Sequence, residues 1–130
     1  MERIFLALSG VLGALGVGLG AFGAHGLAAR FADLADGADR KRWWETAAHY
    51  HLVHALAIAV AAFVAFRAPE SRAGAVAGVA FCLGILLFSG SLYAMALTGV
   101  RALGAVTPFG GLCFIVGWAA IAVGALRLGP

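Results

Sequence analysis

Within ten positions of one apolar stretch lie Glu45, His49, Tyr50, His51 and His54, and no other segment holds so many groups able to move a proton, hold a metal or donate a hydrogen bond. Two imidazoles at i,i+3 can ligate a metal, and a third, His25, lies upstream; Ser89, Ser91 and Tyr93 supply hydroxyls downstream. At about 100° per helical residue, Trp44, Ala47, Tyr50, His51 and His54 share one face. Glu45 and His49 form an i,i+4 pair on roughly the opposite side. Only one face can be interior. His54 lies about 16 Å along a helix from Trp43, too deep to reach lipid headgroups cheaply, so the Tyr50/His51/His54 face is assigned inward. The Glu45/His49 face is left for headgroups or a partner.

The elements that must position these groups are long apolar runs. Residues 4–27, 43–66, 73–97 and 107–128 are each long enough to cross a hydrocarbon core of roughly 30 Å as a helix. Of the 130 residues, 63% are hydrophobic and 12% charged, and the mean hydropathy is +0.99. Such a composition excludes a water-exposed domain. The expected fold is an all-α membrane protein, a single four-transmembrane-helix bundle with a short interfacial helix between spans 1 and 2. The first run is read as a retained helix and not a signal peptide, because its apolar stretch exceeds the roughly 7–15 residues of a signal core. The formal charge of +3 sits at membrane flanks, so no nucleic acid is expected as a partner.

Threading four spans back and forth places the end of the first, the start of the second, the end of the third and the start of the fourth in one leaflet. The unusual strings collect there: GAFGAHG at 20–26, WWETAAHYH at 43–51, FSGSLY at 88–93 and TPFGG at 107–111. The opposite end has only the short charged turn 67–72. In their order and spacing, GAFGAHGL, W-x-x-A-x-x-Y-H-x-x-H-A, LFSGSLY and TPFGGLCFIVGW resemble the YgdD-like family of small membrane proteins, domain of unknown function 423. The resemblance covers nearly the whole chain. It implies four transmembrane helices and a bacterial inner-membrane location, and it supplies no activity. Its motif positions here are Gly23, His25, Trp44, Ala47, Tyr50, His51, His54, Ser89, Gly90, Ser91, Tyr93, Thr107, Pro108, Gly110, Gly111 and Trp118.

Glycine dominates the first span. Gly13, Gly16, Gly20 and Gly23 keep 3–4 spacing on one face, where in lipid they let another backbone approach; Gly110 and Gly111 are expected to do the same in the fourth. The string from Gly16 to Gly20 lacks a preceding strand and is no dinucleotide fingerprint. Leu27, Phe31 and Leu34 recur at i, i+4 and i+7, which predicts the short interfacial helix, with Gly37 ending it. Thr107-Pro108 reads as the N-cap and first turn of helix four, able to face an anionic headgroup. Trp43 and Trp44 read as an interfacial belt and Trp118 as deeper packing. Cys82 and Cys113 differ in depth by roughly 15 Å and are not paired.

For the polar cluster His25, Tyr50, His51, His54, Ser89, Ser91 and Tyr93, interhelical hydrogen bonding is the leading expectation, with metal binding, proton handling and haem ligation as alternatives. Histidine spacing without HExxH or a cysteine pair gives no metal signature, and no cofactor is expected. Neither serine sits in a G-x-S-x-G elbow. Two function classes follow. One is a non-enzymatic module that binds membrane lipid or serves as an accessory subunit of a larger membrane complex or homo-oligomer, presenting Glu45 and His49. The other is a small-solute, proton or metal carrier using His25, His51 and His54. No deep acid and no broken helix pair supports the carrier. Arg3, Arg67, Arg72 and Arg127 flank one side and Arg30, Arg40, Lys41, Arg42 and Arg101 the other. The compact 67–72 turn and the resemblance lean towards both termini in the cytoplasm.

Overall fold

The computed structural model describes residues 1–128, and every regular element among them is helical. Helix α1 (Glu2–Phe22) passes through a π turn (Gly23–Leu27) into the short α2 (Ala28–Ala32); α3 (Gly37–Arg67) follows. Helix α4 (Ala73–Gly84) runs through a second π turn (Ile85–Ser89) into α5 (Gly90–Thr98), and a 3₁₀ turn (Arg101–Ala105) leads to α6 (Thr107–Ala125). Taken as continuous helices, Glu2–Ala32, Gly37–Arg67, Ala73–Thr98 and Arg101–Ala125 are each long and apolar enough to cross a membrane. The chain is an all-α, four-span membrane protein.

The second and third spans form the centre, with 44% and 50% of their most apolar stretches buried against 11% and 17% for the first and fourth. Helix α1 lies on α3, and α6 lies on α4. Around Ile58, Ala61, Ala77 and Phe81 the core closes, with Phe5 reaching in from α1 and Phe114 from α6. Small residues stand wherever a ring or backbone must come close. The Phe81 ring occupies the space a side chain on Gly117 would need, and Phe114 does the same at Gly84, a reciprocal pair of knobs joining α4 to α6. At Gly110 the obstruction is the Phe88 backbone, and at Gly74 the Ala65 backbone. In lipid this close contact replaces the hydrophobic drive that joins helices in water.

Several expectations about the helices need correcting. Of the first-span stripe, Gly16 meets Leu52 and His51, and Gly23 meets Trp44, but Gly13 and Gly20 have nothing within 4 Å of an added Cβ. Gly20 instead borders a groove of about 190 Å³ between α1 and α3, where Lys41, Trp44 and Glu45 form the far wall. Gly111 touches only the edge of Phe88, at 3.9 Å, so Gly110 alone makes that contact. The short helix after span 1 is α2; Phe31 on it and Leu27, which ends the π turn before it, are buried, but Leu34 lies beyond it and is exposed. Gly37 does not close α2, which ends at Ala32, but opens α3, and glycine is required there because a Cβ would run into the Phe31 carbonyl. Residues 37–42 are therefore the first turns of α3, not loop.

Those charged turns hold the third span's end. Arg40 donates from Nη1 to the carbonyls of Ala96 and Leu97, both at 3.3 Å, and from Nε to Asp36 Oδ1 at 2.8 Å. It thereby satisfies carbonyls that the end of α5 leaves open. Gly99, at φ +75°, ends that helix in the left-handed region and leaves room for the guanidinium. Nearby, Asp39 accepts from Arg42 at 3.0 Å and Arg101 at 2.9 Å, and Arg101 lies over the Trp43 ring at 5.2 Å. The Arg40 hydrogen bond holds the Asp36 carboxyl below its ordinary value of 3.8. A depressed carboxyl stabilises the fold above that ordinary value, and the contribution is lost as pH falls through the lowered one. The melting-temperature gap between the parent and Asp36→Asn in detergent is therefore expected to be constant near neutrality and to close on titration below about pH 4. No gap between the two proteins near neutrality would show that the Asp36–Arg40 pair contributes nothing.

Candidate functional site

All four spans bring their unusual residues to one end, held by contacts between elements far apart in sequence. The Trp44 indole N–H donates to the Leu19 carbonyl at 2.8 Å, and its ring fills the notch left by Gly23. That carbonyl also accepts the Gly23 N–H, so both its lone pairs are used. Trp44 is 3% exposed and packs on Tyr93 with ring centres 4.6 Å apart. It locks α1 to α3 from within and is not part of an interfacial belt.

Deeper in, the inward face of α3 carries His51 and His54, each 4% exposed. His54 Nδ1 lies 2.7 Å from the Tyr50 carbonyl, which can only accept, so this nitrogen carries the proton. Nε2 then accepts the Trp118 indole N–H at 3.2 Å. The ring stacks on Phe114 at 3.5 Å between centres and 10° between planes. Both ring nitrogens are thus spent on the fold, one within α3 and one across to α6. Sequence reading placed Trp118 in the packing but missed this bond. The signal was present: His54 and Trp118 lie equally far beyond residues 43 and 107, where their spans enter from the same end.

His51 approaches Tyr93 through Nδ1, 3.4 Å from the phenol oxygen. Its Nε2 is buried without a partner, as is Ser89 Oγ. Ser91 donates to the Phe88 carbonyl at 3.0 Å, and with that single proton committed it accepts from the Thr107 hydroxyl at 2.8 Å. Thr107 is accordingly not the N-cap of α6. Val106 holds that position, and the threonine hydroxyl ties α5 to α6.

The structure does not bring the expected seven-residue cluster together whole. Tyr50, His51 and His54 of α3 lie against Phe88, Tyr93 and Phe114 of the third and fourth spans, Ser91 joins the third span to the fourth, and Ser89 is buried in the third. His25 is exposed on the first π turn, and among the described residues no three His, Cys, Asp or Glu side chains converge as metal ligands. The π turn continues the helix past Phe22 and turns His25 outward, so the three-nitrogen arrangement is not formed. Tyr50, assigned inward with the two histidines, is instead 40% exposed, at the edge of that face with its ring 4.6 Å from that of Phe88. Glu45 and His49 are both exposed; Glu45 pairs with Lys41 at 3.8 Å, one turn back, and not with His49. Cys82 and Cys113 are free thiols.

Residues 19–111 match the family described as protein of unknown function DUF423. The UPF0382 membrane protein YwdK of Bacillus subtilis (strain 168) is 41% identical over 125 residues, covering 96% of this chain and 98% of that protein. The chain belongs to this family. Among its other relatives, the UPF0382 inner membrane protein YgdD of Escherichia coli (strain K12) is 41% identical over 127 residues, 98% of this chain and 92% of YgdD. The UPF0382 membrane protein SERP0230 of Staphylococcus epidermidis is 38% identical over 125 residues, 96% of this chain and 97% of that protein. No solved structure matches the chain. Family membership makes this a small, multi-pass inner-membrane protein of a group without an assigned reaction. The matched region takes in the Leu19–Trp44 latch and both buried histidines, and it ends before Phe114 and Trp118.

Proposed function

We infer that the chain is a non-enzymatic module of the bacterial inner membrane, with both termini in the cytoplasm, that binds membrane lipid and serves as an accessory subunit of a larger complex or homo-oligomer. One observation carries this reading: both nitrogens of His54, the deepest titratable group on the chemical face, are committed to Tyr50 and Trp118. Metal ligation through Nε2 would break the Trp118 bond that ties α3 to α6, the one contact His54 makes to another span by hydrogen bonding among the described residues. Lys41, Glu45 and His49 face outward together at the motif-rich end, a polar surface at headgroup depth suited to a partner. The carrier reading draws its support from His51 Nε2 and Ser89 Oγ, buried without partners.

The readings separate on purified protein. The module is expected to hold less than stoichiometric zinc, copper or iron, to keep its melting temperature in chelator, and to lose only about 1 kcal/mol in His54→Gln, whose amide can remake one contact. It is also expected to run above the mass of one chain in mild detergent, and Glu45→Arg with His49→Ala is expected to return it to a single chain. One metal per chain lost in both His51→Ala and His54→Ala, or proton flux in liposomes abolished by His51→Ala, would replace the module by the carrier.

A further inference from the structure

At the opposite end, two apolar grooves on the outer side of the α4–α6 pair converge on one arginine. The first, of about 770 Å³, follows Val79 and Leu83 on α4 and Leu112 on α6. The second, of about 610 Å³, follows Ala120 and Val123 towards Arg127. Both are lined by Arg72, Val76 and Val116. We propose that these grooves seat one anionic diacyl phospholipid, its phosphate on Arg72 with Arg127 alongside and one acyl chain in each groove.

The charges at this end decide the headgroup. Arg72 makes no ion pair within 4 Å among the described residues, and neither does Arg127. Of the acids nearby, Glu2 is taken by the N-terminal ammonium at 3.2 Å, and Glu70 lines the second groove beside the two arginines. Two guanidinium groups against one carboxylate favour a net negative headgroup over a zwitterionic one. Arg72 is also the N-cap of α4, so the positive end of that helix dipole adds to its field. Depth agrees: Val79 and Leu83 lie about 10 and 16 Å along α4 from Arg72, within the acyl region when the arginine sits among headgroups. A forked apolar seat with one cationic junction matches the shape of a two-chain lipid.

This deepens the lipid-binding part of the reading above and is independent of docking: loss of assembly in Glu45 variants leaves it standing, and its own failure leaves assembly untouched. The experiment is a titration of the full chain in mild detergent with dioleoyl phosphatidylglycerol and, separately, dioleoyl phosphatidylcholine, read by native mass spectrometry. One phosphatidylglycerol is expected to bind about tenfold more tightly than phosphatidylcholine. Arg72→Gln is expected to erase that preference. Val79→Trp, which fills one groove from an exposed position, is expected to weaken both lipids, and Arg67→Gln, at the same end outside both grooves, to change neither. Equal affinity for the two lipids, or a preference lost equally in Arg67→Gln, would overturn the proposal in favour of diffuse attraction of surrounding lipid. Unchanged binding in Val79→Trp would likewise overturn the groove.

Discussion

Gly110→Ala is expected to destabilise the protein by about 3 kcal/mol, the upper range for forcing a methyl group into a packed interface, and at 37 °C to leave much of it misassembled. The obstruction there is the Phe88 backbone, which cannot rotate away as a side chain would. Relief requires α6 to back off from the third span, which would strain the Ser91–Thr107 bond and the fit of Phe114 on Gly84. Gly13→Ala and Gly20→Ala are the contrasting substitutions. Neither Cβ meets anything within 4 Å, and alanine is the better helix former by about 1 kcal/mol, so both are expected to melt at or above the parent temperature. Thermal unfolding of the three variants in one detergent checks the ordering; Gly20→Ala falling below Gly110→Ala would place the close approach on α1 instead.

Trp44→Ala removes the only indole that joins α1 to α3 among the described residues, and a loss of about 3–5 kcal/mol is expected, the range for emptying a buried aromatic site. It also leaves the Gly23 notch empty and takes one of two donors from the Leu19 carbonyl. Trp44→Phe keeps most of the volume and loses only the bond, so about 1 kcal/mol is expected. Cysteine cross-linking between α1 and α3 gives a structural readout beside the melting curve: Trp44→Ala should loosen it and Trp44→Phe preserve it. Equal losses in the two variants would mean that the hydrogen bond, not the ring, holds the first span.

Much of the site's scaffold was legible in the residues alone. Apolar length determined the four spans, because a helix must run about 20 residues to satisfy its own backbone across a bilayer. Alternation of direction then placed the four motif strings at one end, and helical periodicity turned Trp44, Ala47, His51 and His54 inward together. Each of those steps depends on one helix at a time. What one helix meets is a property of two, and there the tertiary structure decided. The 3–4 spacing of Gly13, Gly16, Gly20 and Gly23 is the same at every step, yet only Gly16 and Gly23 touch α3, because the groove beside Lys41 and Glu45 leaves Gly20 without a neighbour. The π turn at Gly23–Leu27 shows no apolar period of its own, so the outward turn of His25 and the isolation of its imidazole were not readable. Trp118 and His54 share a depth on paper, but whether they face each other depends on how far α6 is rotated, which the fit of Phe114 into Gly84 and of Phe81 into Gly117 sets. Sequence determines lengths and faces through local geometry; the partners of those faces follow from the rotation and approach of whole helices, which close packing alone fixes in lipid.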